Sequence, residues 1–388
     1  MNRNLKILVA GYAIGFPLGG QLWMMLQYVL GLKRLGHTVL FLEDTSDWSY
    51  PYDPVRRSYD LGSSYGRRVL DDFFARCGLK GQWVYNAPIE NAVYGMSRED
   101  LDRFCSQADL FLNISGITPL REEYLRCRVK AIIDTDPVFN QIKISNDEKS
   151  REYFQSHDFC FTFGWNLPDG VAGVPHSGID WKSTLPPILP DLWVPLETPG
   201  GAFTTVGSWD SRGRDVLLNG RVLSWRKRPK YHQLLDLPRH LPGVDLELAF
   251  LGIEDDAKLF AEHGWVIRDA VEVSADPWRY RDYLRNSRGE FTVAKDQNVI
   301  TRSGWFSDRS ASYLAAGRPV ITEDTGFGSY LPVGEGLFTY KTLEEAVQCI
   351  RAVEADPVRH FRAARRIAQE HFDAPKILSR ILADAGLA

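Results

Sequence analysis

Short aliphatic and β-branched runs alternate with helical patterns along this chain, and this alternation restricts the fold more than any other feature. Strands separated by helices pair in parallel, with helices covering both faces of the sheet. In the first half, the predicted strands are 6–10, 39–42, 109–114, 129–133 and 159–163. The predicted helices of that half are 22–35, 66–76, 98–107 and 147–155. We therefore expect an α/β fold of the doubly wound type.

A segment rich in proline and glycine, residues 177–201, interrupts this alternation and is typical of an approach to a linker. A second series follows it, with predicted strands at 246–251, 265–267, 291–294 and 320–322 and helices at 254–263 and 308–316. The chain of 388 residues is long enough for two cores. We predict two Rossmann-like domains facing a central cleft, over 1–195 and 196–365, with a last helix, 366–388, that packs back on the first domain.

The overall charge and the cysteines argue against several classes of protein. A formal net charge of -4 disfavours extensive polyanion binding, although a local basic groove would still allow a nucleic-acid acceptor. The five cysteines are odd in number and lack Cys-x-x-Cys spacing, so we expect neither a disulfide framework nor a zinc site. The apolar stretch 22–32 is too short to span a bilayer. We expect a cytoplasmic protein without a secretory signal or membrane span.

Glycines follow the first predicted strand, at positions 11, 15, 19 and 20. Glycine allows close backbone approach to a ligand, and the amides that open the next helix can bind an anion. Gly19 and Gly20 are therefore candidate ligand-binding positions, with a purely structural role as an equal alternative. The glycine spacing differs from the dinucleotide fingerprint, which argues against an NAD-dependent oxidoreductase.

The densest basic cluster of the chain lies at 219–230 and includes Arg221, Arg226 and Lys227. A diphosphate carries many acceptor oxygens, for which Arg supplies forked donors and Lys a point charge. These side chains are candidate diphosphate ligands. A solvated basic loop is the alternative interpretation.

A helix over 308–316 is predicted to begin at Ser307, an N-cap residue type, and to end at Gly317. Its first turn would direct free amides and a positive dipole end into the cleft, where Arg309 and Ser310 add donors. The following strand ends before three more residues expected at the cleft, Glu323, Asp324 and Gly326. Alternatively, Ser307 is only a helix cap and Arg309 a surface residue.

The segment 313–328, with Gly-Arg-Pro-Val at its centre, and the following Gly334-Glu-Gly turn resemble the C-terminal half of GT-B glycosyltransferases related to glycogen and sucrose synthases. Gly220-Arg221, followed by Arg226 or Lys227, resembles the diphosphate clamp of that family. The resemblance implies that the first domain binds an acceptor and the second a nucleotide sugar. It also implies that no metal and no cofactor other than the donor is needed.

The chain departs from the family pattern at two positions. Many retaining members carry two glutamates separated by seven residues, where this chain has Gly304 and Ser312. The usual ribose ligand is thus missing from its place, which leaves retention or inversion open. Glu323 or Asp324 is the alternative ribose ligand.

Asp134-Thr-Asp136 follows the strand 129–133 and superficially matches the Asp-x-Asp metal motif of the other major glycosyltransferase fold. The GT-B resemblance implies instead an acceptor-facing loop without metal. Asp136 is then a candidate general base for an acceptor hydroxyl, with a turn residue before Pro137 as the alternative. His176 is a second candidate base, with an ordinary loop histidine as the alternative.

The aromatic stretch 44–68 is predicted either to form an acceptor wall or to be an ordinary surface loop. Together these features predict a hexosyltransferase-like enzyme that moves a sugar from a nucleoside diphosphate sugar to a hydroxyl of a small molecule or glycan. The alternatives are a sugar-nucleotide epimerase of the same fold and a non-catalytic nucleotide-sugar-binding protein.

Overall fold

A computed structural model describes residues 4–44, 51–59, 62–88, 90–171, 173–196 and 200–387. The strands of its first half are β1 (Lys6–Ala10), β2 (Thr38–Glu43), β3 (Tyr52–Asp53), β4 (Ser58–Tyr59), β5 (Trp83–Ala87), β6 (Ala92–Tyr94), β7 (Leu110–Ile114), β8 (Val129–Asp134), β9 (Phe159–Thr162) and β10 (Trp181–Ser183). The helices of that half are α1 (Gly19–Arg34), α2 (Ser64–Arg76), α3 (Arg98–Gln107), α4 (Glu122–Leu125), α5 (Phe139–Asn146) and α6 (Glu148–Gln155).

Eight of these strands form one sheet in the order β10-β9-β8-β7-β1-β2-β5-β6, while β3 and β4 form a separate hairpin. Every pair in the large sheet is parallel except β5 with β6. Successive side chains of β1 enter different cores, because strand residues alternate between the two faces. Ile7 and Val9 pack in the core that contains α1, and Leu8 packs in the core beneath α3 and α4.

The second half has its own strands, β11 (Ala202–Ser208), β12 (Val216–Leu218), β13 (Arg221–Leu223), β14 (Asp245–Leu251), β15 (Val266–Ile267), β16 (Gly289–Thr292), β17 (Val320–Glu323) and β18 (Leu337–Tyr340). Its helices are α7 (Arg228–Gln233), α8 (Glu254–Glu262), α9 (Ala270–Ser274), α10 (Pro277–Asn286), α11 (Asp296–Thr301), α12 (Asp308–Ala315), α13 (Leu343–Ala355), α14 (Pro357–His371) and α15 (Ala374–Asp384).

Six of these strands form a second parallel sheet in the order β15-β14-β11-β16-β17-β18, and β12 with β13 forms an antiparallel hairpin outside it. One face of this sheet packs Phe203, Leu248 and Phe291 into a core of its own. The other face contributes Val206 and Ala249 to the core that also holds α1. The predicted α/β class with two Rossmann-like domains is confirmed.

The last helix, α15, lies against α1 of the first half. A Cβ on Gly31 of α1 would lie 2.5 Å from Leu378 Cδ1, so glycine permits this close contact. The chain returns beside Ile188, whose amide donates to Phe372 O at 2.7 Å. One apolar core thus runs through both halves, and the boundaries proposed from the sequence stay predictions. Within the described residues, no helix has the length and hydropathy required to cross a bilayer.

Candidate functional site between the two sheets

The carboxyl ends of both sheets border a cavity of about 200 Å³. Ligands of open α/β sheets bind at this end of the strands. The first half contributes Phe16, Leu18, Gly20 and Gln21. The second half contributes Val206, Gly207, Ser208, Leu251, Ala270, Ser274, Tyr280, Ser307, Asp308 and Arg309. Because α1 and α12 both begin here, two helix N-termini face the same space, an arrangement that favours an anion.

The glycine-containing loop after β1 wraps around a carboxylate. The amides of Ala13, Ile14 and Gly15 each donate to Glu43 at 2.6 Å. Burial raises the pKa of Glu43 to about 7, and the three amide donors oppose that rise. These loop amides are therefore satisfied within the protein, and the helix start at Gly20 is the part of this segment that lines the cavity.

The raised pKa of Glu43 predicts a pH-dependent stability. The pKa rises from 4.5 to about 7 on folding, so its contribution to stability is complete below pH 4.5 and is lost as the pH rises through 7. We expect Glu43→Gln to remove this component from the dependence of the Tm on pH. Calorimetry of both proteins from pH 4.5 to 8 measures the difference, and parallel Tm profiles would contradict this role of Glu43.

Gly19 has a packing role beside the cavity. A Cβ at this position would lie 2.3 Å from Tyr280 Cβ of α10, so only glycine lets α1 and α10 approach this closely. The hydroxyl of Tyr280 lies near Gly20, 3.5 Å from the place that a Cβ there would take. Of the two glycines predicted to bind the donor, Gly20 lines the cavity, and Gly19 lies behind it against Tyr280.

The first turn of α12 carries the charged groups of the cavity. Ser307 is at the N-cap position, but its side chain makes no capping hydrogen bond. The Arg309 guanidinium donates to Glu290 Oε1 at 2.5 Å, to Val206 O at 3.0 Å and to Thr292 Oγ1 at 3.0 Å. Arg309 thus contributes positive charge to the cavity, while each of its three nitrogens already binds protein. Ser310 is buried and lines a smaller pocket next to it.

Among the described residues, Lys227 makes no salt bridge within 4 Å, although the Glu290 and Asp308 charges act on its ammonium. Its Nζ lies 3.6 Å from the place that a Cβ on Gly207 would take, and Gly207 lines the cavity. Burial lowers the pKa of Lys227 well below 10.5, and the nearby Arg309 charge lowers it further. A partly buried ammonium that no close salt bridge neutralises is unfavourable in the protein, so it favours an anionic ligand.

The other two basic candidates lie elsewhere. Arg221 begins β13 directly after the hairpin turn at Asn219 and Gly220, whose φ values are 51° and 77°. Its side chain is exposed, and it does not line the cavity. Arg226 pairs with Asp215 at 3.4 Å. Of the three predicted diphosphate ligands, the structure therefore brings Lys227 next to the cavity.

The predicted residues at the end of β17 and just after it are bound to neighbouring protein groups and do not line the cavity. Glu323 accepts from Lys230 Nζ at 2.8 Å and from the Ala294 amide at 2.8 Å. Asp324 accepts from Arg302 Nη1 at 2.6 Å and from the Gly326 amide at 2.8 Å. A ribose contact by either carboxylate stays a prediction.

The structure explains the absence of a glutamate at position 304. Gly304 has a φ of 78°, and a Cβ there would lie 2.9 Å from Asn166 Cγ of the first half. Asn166 also donates to Arg302 O at 2.9 Å and accepts from Ser329 Oγ at 2.9 Å. An interdomain asparagine thus takes the space in which a longer side chain would lie. Ser312, at the second glutamate position, is buried and donates to Asp308 O at 3.0 Å.

Asp136 faces the second half across the cleft. Its Oδ1 accepts from Lys295 Nζ at 2.9 Å, and its Oδ2 lies 3.8 Å from Arg214 Nη1. Asp134, in the same motif, is fully buried and accepts from Asn140 at 2.6 Å, and burial raises its pKa to about 6. Asp134 therefore supports the turn, whereas Asp136 reaches the cleft. No set of three His, Cys, Asp or Glu side chains suited to a metal occurs in the described ranges.

The second candidate base and the described part of the predicted aromatic wall do not line the cavity. His176 is exposed on the loop after β9. The ring of Phe16, which lines the cavity, lies 5.3 Å from Tyr52, and Tyr52 lies 5.2 Å from Tyr59, so the aromatic stretch packs behind Phe16. Positions 48 and 50 of that stretch lie outside the described residues.

Several polar cleft residues were not singled out in the sequence. Asp308 and Gln21 line the cavity, and burial raises the pKa of Asp308. Lys295 binds Asp136. Asp308 stands beside the predicted N-cap, a signal that would have identified it. Gln21 and Lys295 carry no local signal, because only tertiary contacts bring them to the cleft.

No protein-family model matches this sequence, and a search of curated proteins found no match. Solved structures do match it. HepE from Anabaena, in complex with UDP and glucose, has a TM-score of 0.59 and 13% identity over 99% of this chain and 100% of that one. An alpha-glucosyltransferase in complex with UDP and a 13-mer DNA has a TM-score of 0.59 and 11% identity over 98% of both chains. Sucrose-phosphate synthase from Thermosynechococcus elongatus has a TM-score of 0.54 and 13% identity over 98% and 99%.

The chain has the GT-B fold: two Rossmann-like sheets whose carboxyl ends face one cleft. The resemblance to GT-B glycosyltransferases found in the sequence is confirmed by these structures, which match along both halves of the chain.

Proposed function

We propose that this protein transfers a sugar from a nucleoside diphosphate sugar to a hydroxyl acceptor. The observation that carries the proposal is the Lys227 ammonium, which makes no salt bridge within 4 Å among the described residues and lies beside a cavity that two helix N-termini face. An ammonium, a neighbouring guanidinium and the positive ends of two helices together suit a diphosphate, whose charge grows as it leaves the sugar.

In the proposed reaction the anomeric carbon exchanges the diphosphate for the acceptor oxygen. The bond between the anomeric carbon and the diphosphate oxygen breaks, and its electron pair goes to the diphosphate. An acceptor hydroxyl oxygen forms the new bond to that carbon and gives its proton to Asp136. Lys227 and the positive N-terminal end of α12 stabilise the departing diphosphate, while the Arg309 charge adds to the field. In this assignment the cavity holds the donor, and the acceptor enters beside Asp136.

The solved structures suggest where to begin testing. HepE was solved with UDP and glucose, and the alpha-glucosyltransferase with UDP and DNA. We therefore propose uridine diphosphate sugars as the first donors, with small glycans as the first acceptors. The exposed side chains of Arg212, Arg214 and Arg221 make a short DNA duplex a further acceptor to include.

A binding experiment followed by product analysis tests the proposal. UDP is expected to raise the Tm in proportion to the logarithm of its concentration, because it binds the native state, whereas uridine has little effect. Sugar transfer from a panel of UDP-sugars is then followed by mass spectrometry with and without acceptors. Conversion of the donor alone to an isomeric donor would identify an epimerase. Saturable UDP binding with no product from any acceptor would identify a binding protein.

A further inference from the structure

We propose that Lys295 is a positioning residue that holds the carboxylate of Asp136 in the cleft, an inference that rests on the proposed role of Asp136 in sugar transfer. Lys295 follows β16, a central strand of the second sheet, and Asp136 follows β8 of the first. Lys295 Nζ donates to Asp136 Oδ1 at 2.9 Å. The contact joins the two domains directly at the cleft.

The ammonium of Lys295 rests on an aromatic platform. Its Nζ lies 3.1 Å from the centroid of the Trp225 ring, and Trp225 is buried. The Trp225 ring packs edge-on against Phe139 of the first half at 5.0 Å. A cation over an indole face is attracted by the ring quadrupole, most strongly where water is excluded. The platform therefore determines where the ammonium lies, and the ammonium in turn determines where Asp136 Oδ1 lies.

The burial of Lys295 and the charges around it fit a positioning role better than that of a simple surface ion-pair partner. The side chain of Lys295 is only 18% exposed, whereas that of Asp136 is 30% exposed. The other charged groups that act on Lys295 are Arg214, Asp308 and Lys227. Burial lowers the pKa of Lys295, and the Asp136 charge opposes that shift. Asp136 is also the one hydrogen-bond acceptor of Lys295 among the described residues.

This arrangement leaves the second oxygen of Asp136 for the acceptor. Oδ1 is engaged by Lys295, and Oδ2 has only Arg214 at 3.8 Å, on a side chain that is 55% exposed. An incoming hydroxyl can therefore approach Oδ2 while Lys295 keeps the carboxylate from rotating. Loss of a group that maintains catalytic geometry costs about 10²-fold in rate.

A double-mutant cycle tests this role. Lys295→Met is expected to lower kcat for transfer by about 10²-fold, with UDP affinity within about threefold of the wild type, since the donor cavity keeps its own ligands. Lys295→Arg should recover at least tenfold of the lost rate, because its guanidinium also binds a carboxylate. The double variant with Asp136→Asn should be no slower than Asp136→Asn alone. Additive effects of the two substitutions, or a Lys295→Met enzyme of normal kcat, would overturn the proposal.

A second readout does not depend on activity. The protein is labelled with 5-fluorotryptophan, and the Trp225 resonance is assigned by its absence in Trp225→Phe. The ¹⁹F shift of Trp225 is expected to report the ionisation of Lys295. The midpoint lies below 10.5, because burial lowers the pKa of Lys295. Asp136→Asn should lower that midpoint further, because it removes the charge that stabilises the ammonium. An unchanged midpoint in Asp136→Asn would refute the coupling, whereas a wild type that turns over no sugar nucleotide would refute the proposed function alone.

Discussion

Lys227→Met is expected to weaken UDP binding by about 10²- to 10³-fold, because the diphosphate loses a partly desolvated cationic donor. The same substitution should lower kcat/KM by at least this factor, since the charge on the diphosphate increases in the transition state. Isothermal titration with UDP and initial rates with UDP-glucose measure the two effects. Lys258→Met is the matched control, because Lys258 is 91% exposed on α8 and its substitution removes the same charge.

The lowered pKa of Lys227 predicts two further results that a nonspecific loss of structure would not produce. UDP affinity of the wild type should fall as the pH rises through the lowered pKa, and Lys227→Arg should flatten that profile, since guanidinium stays charged. The folded protein disfavours the ammonium, so at pH 7 the ligand-free Lys227→Met protein should have the higher Tm. Unchanged UDP affinity in Lys227→Met would remove Lys227 from the donor site.

Asp136→Asn is expected to lower kcat for transfer by about 10²- to 10⁴-fold, the usual contribution of a general base. The amide keeps the shape of the side chain but cannot take the acceptor proton. UDP affinity should stay within about threefold of the wild type, because Asp136 does not line the donor cavity. Asp169→Asn, on an exposed loop position, is the matched control. Transfer at the wild-type rate by Asp136→Asn would make Asp136 a turn residue only.

Some elements of the fold follow directly from local sequence, and others do not. The helix predicted at 98–107 and the strand at 6–10 have those bounds in the structure, since hydrophobic periodicity is a local property. The central strand β11 was not predicted. Its sequence, Ala-Phe-Thr-Thr-Val-Gly-Ser, lacks a continuous apolar run, and it follows a segment rich in proline and glycine. Its strand conformation depends on parallel pairing with β14 and β16.

The sequence by itself determined that the chain forms two Rossmann-like domains of parallel strands and helices, and it predicted that the loops after those strands hold the site. Only the tertiary structure decided which loop residues meet. Asp136 and Lys295 form a hydrogen bond although 159 positions separate them, and no local pattern encodes such a pairing. The basic cluster 219–230 gives a second example. The hairpin turn at Asn219 and Gly220 places Arg221 at the surface, whereas Lys227, six residues later, lies beside the cavity. Charge and spacing identify candidate ligands, but their positions depend on how the two domains pack.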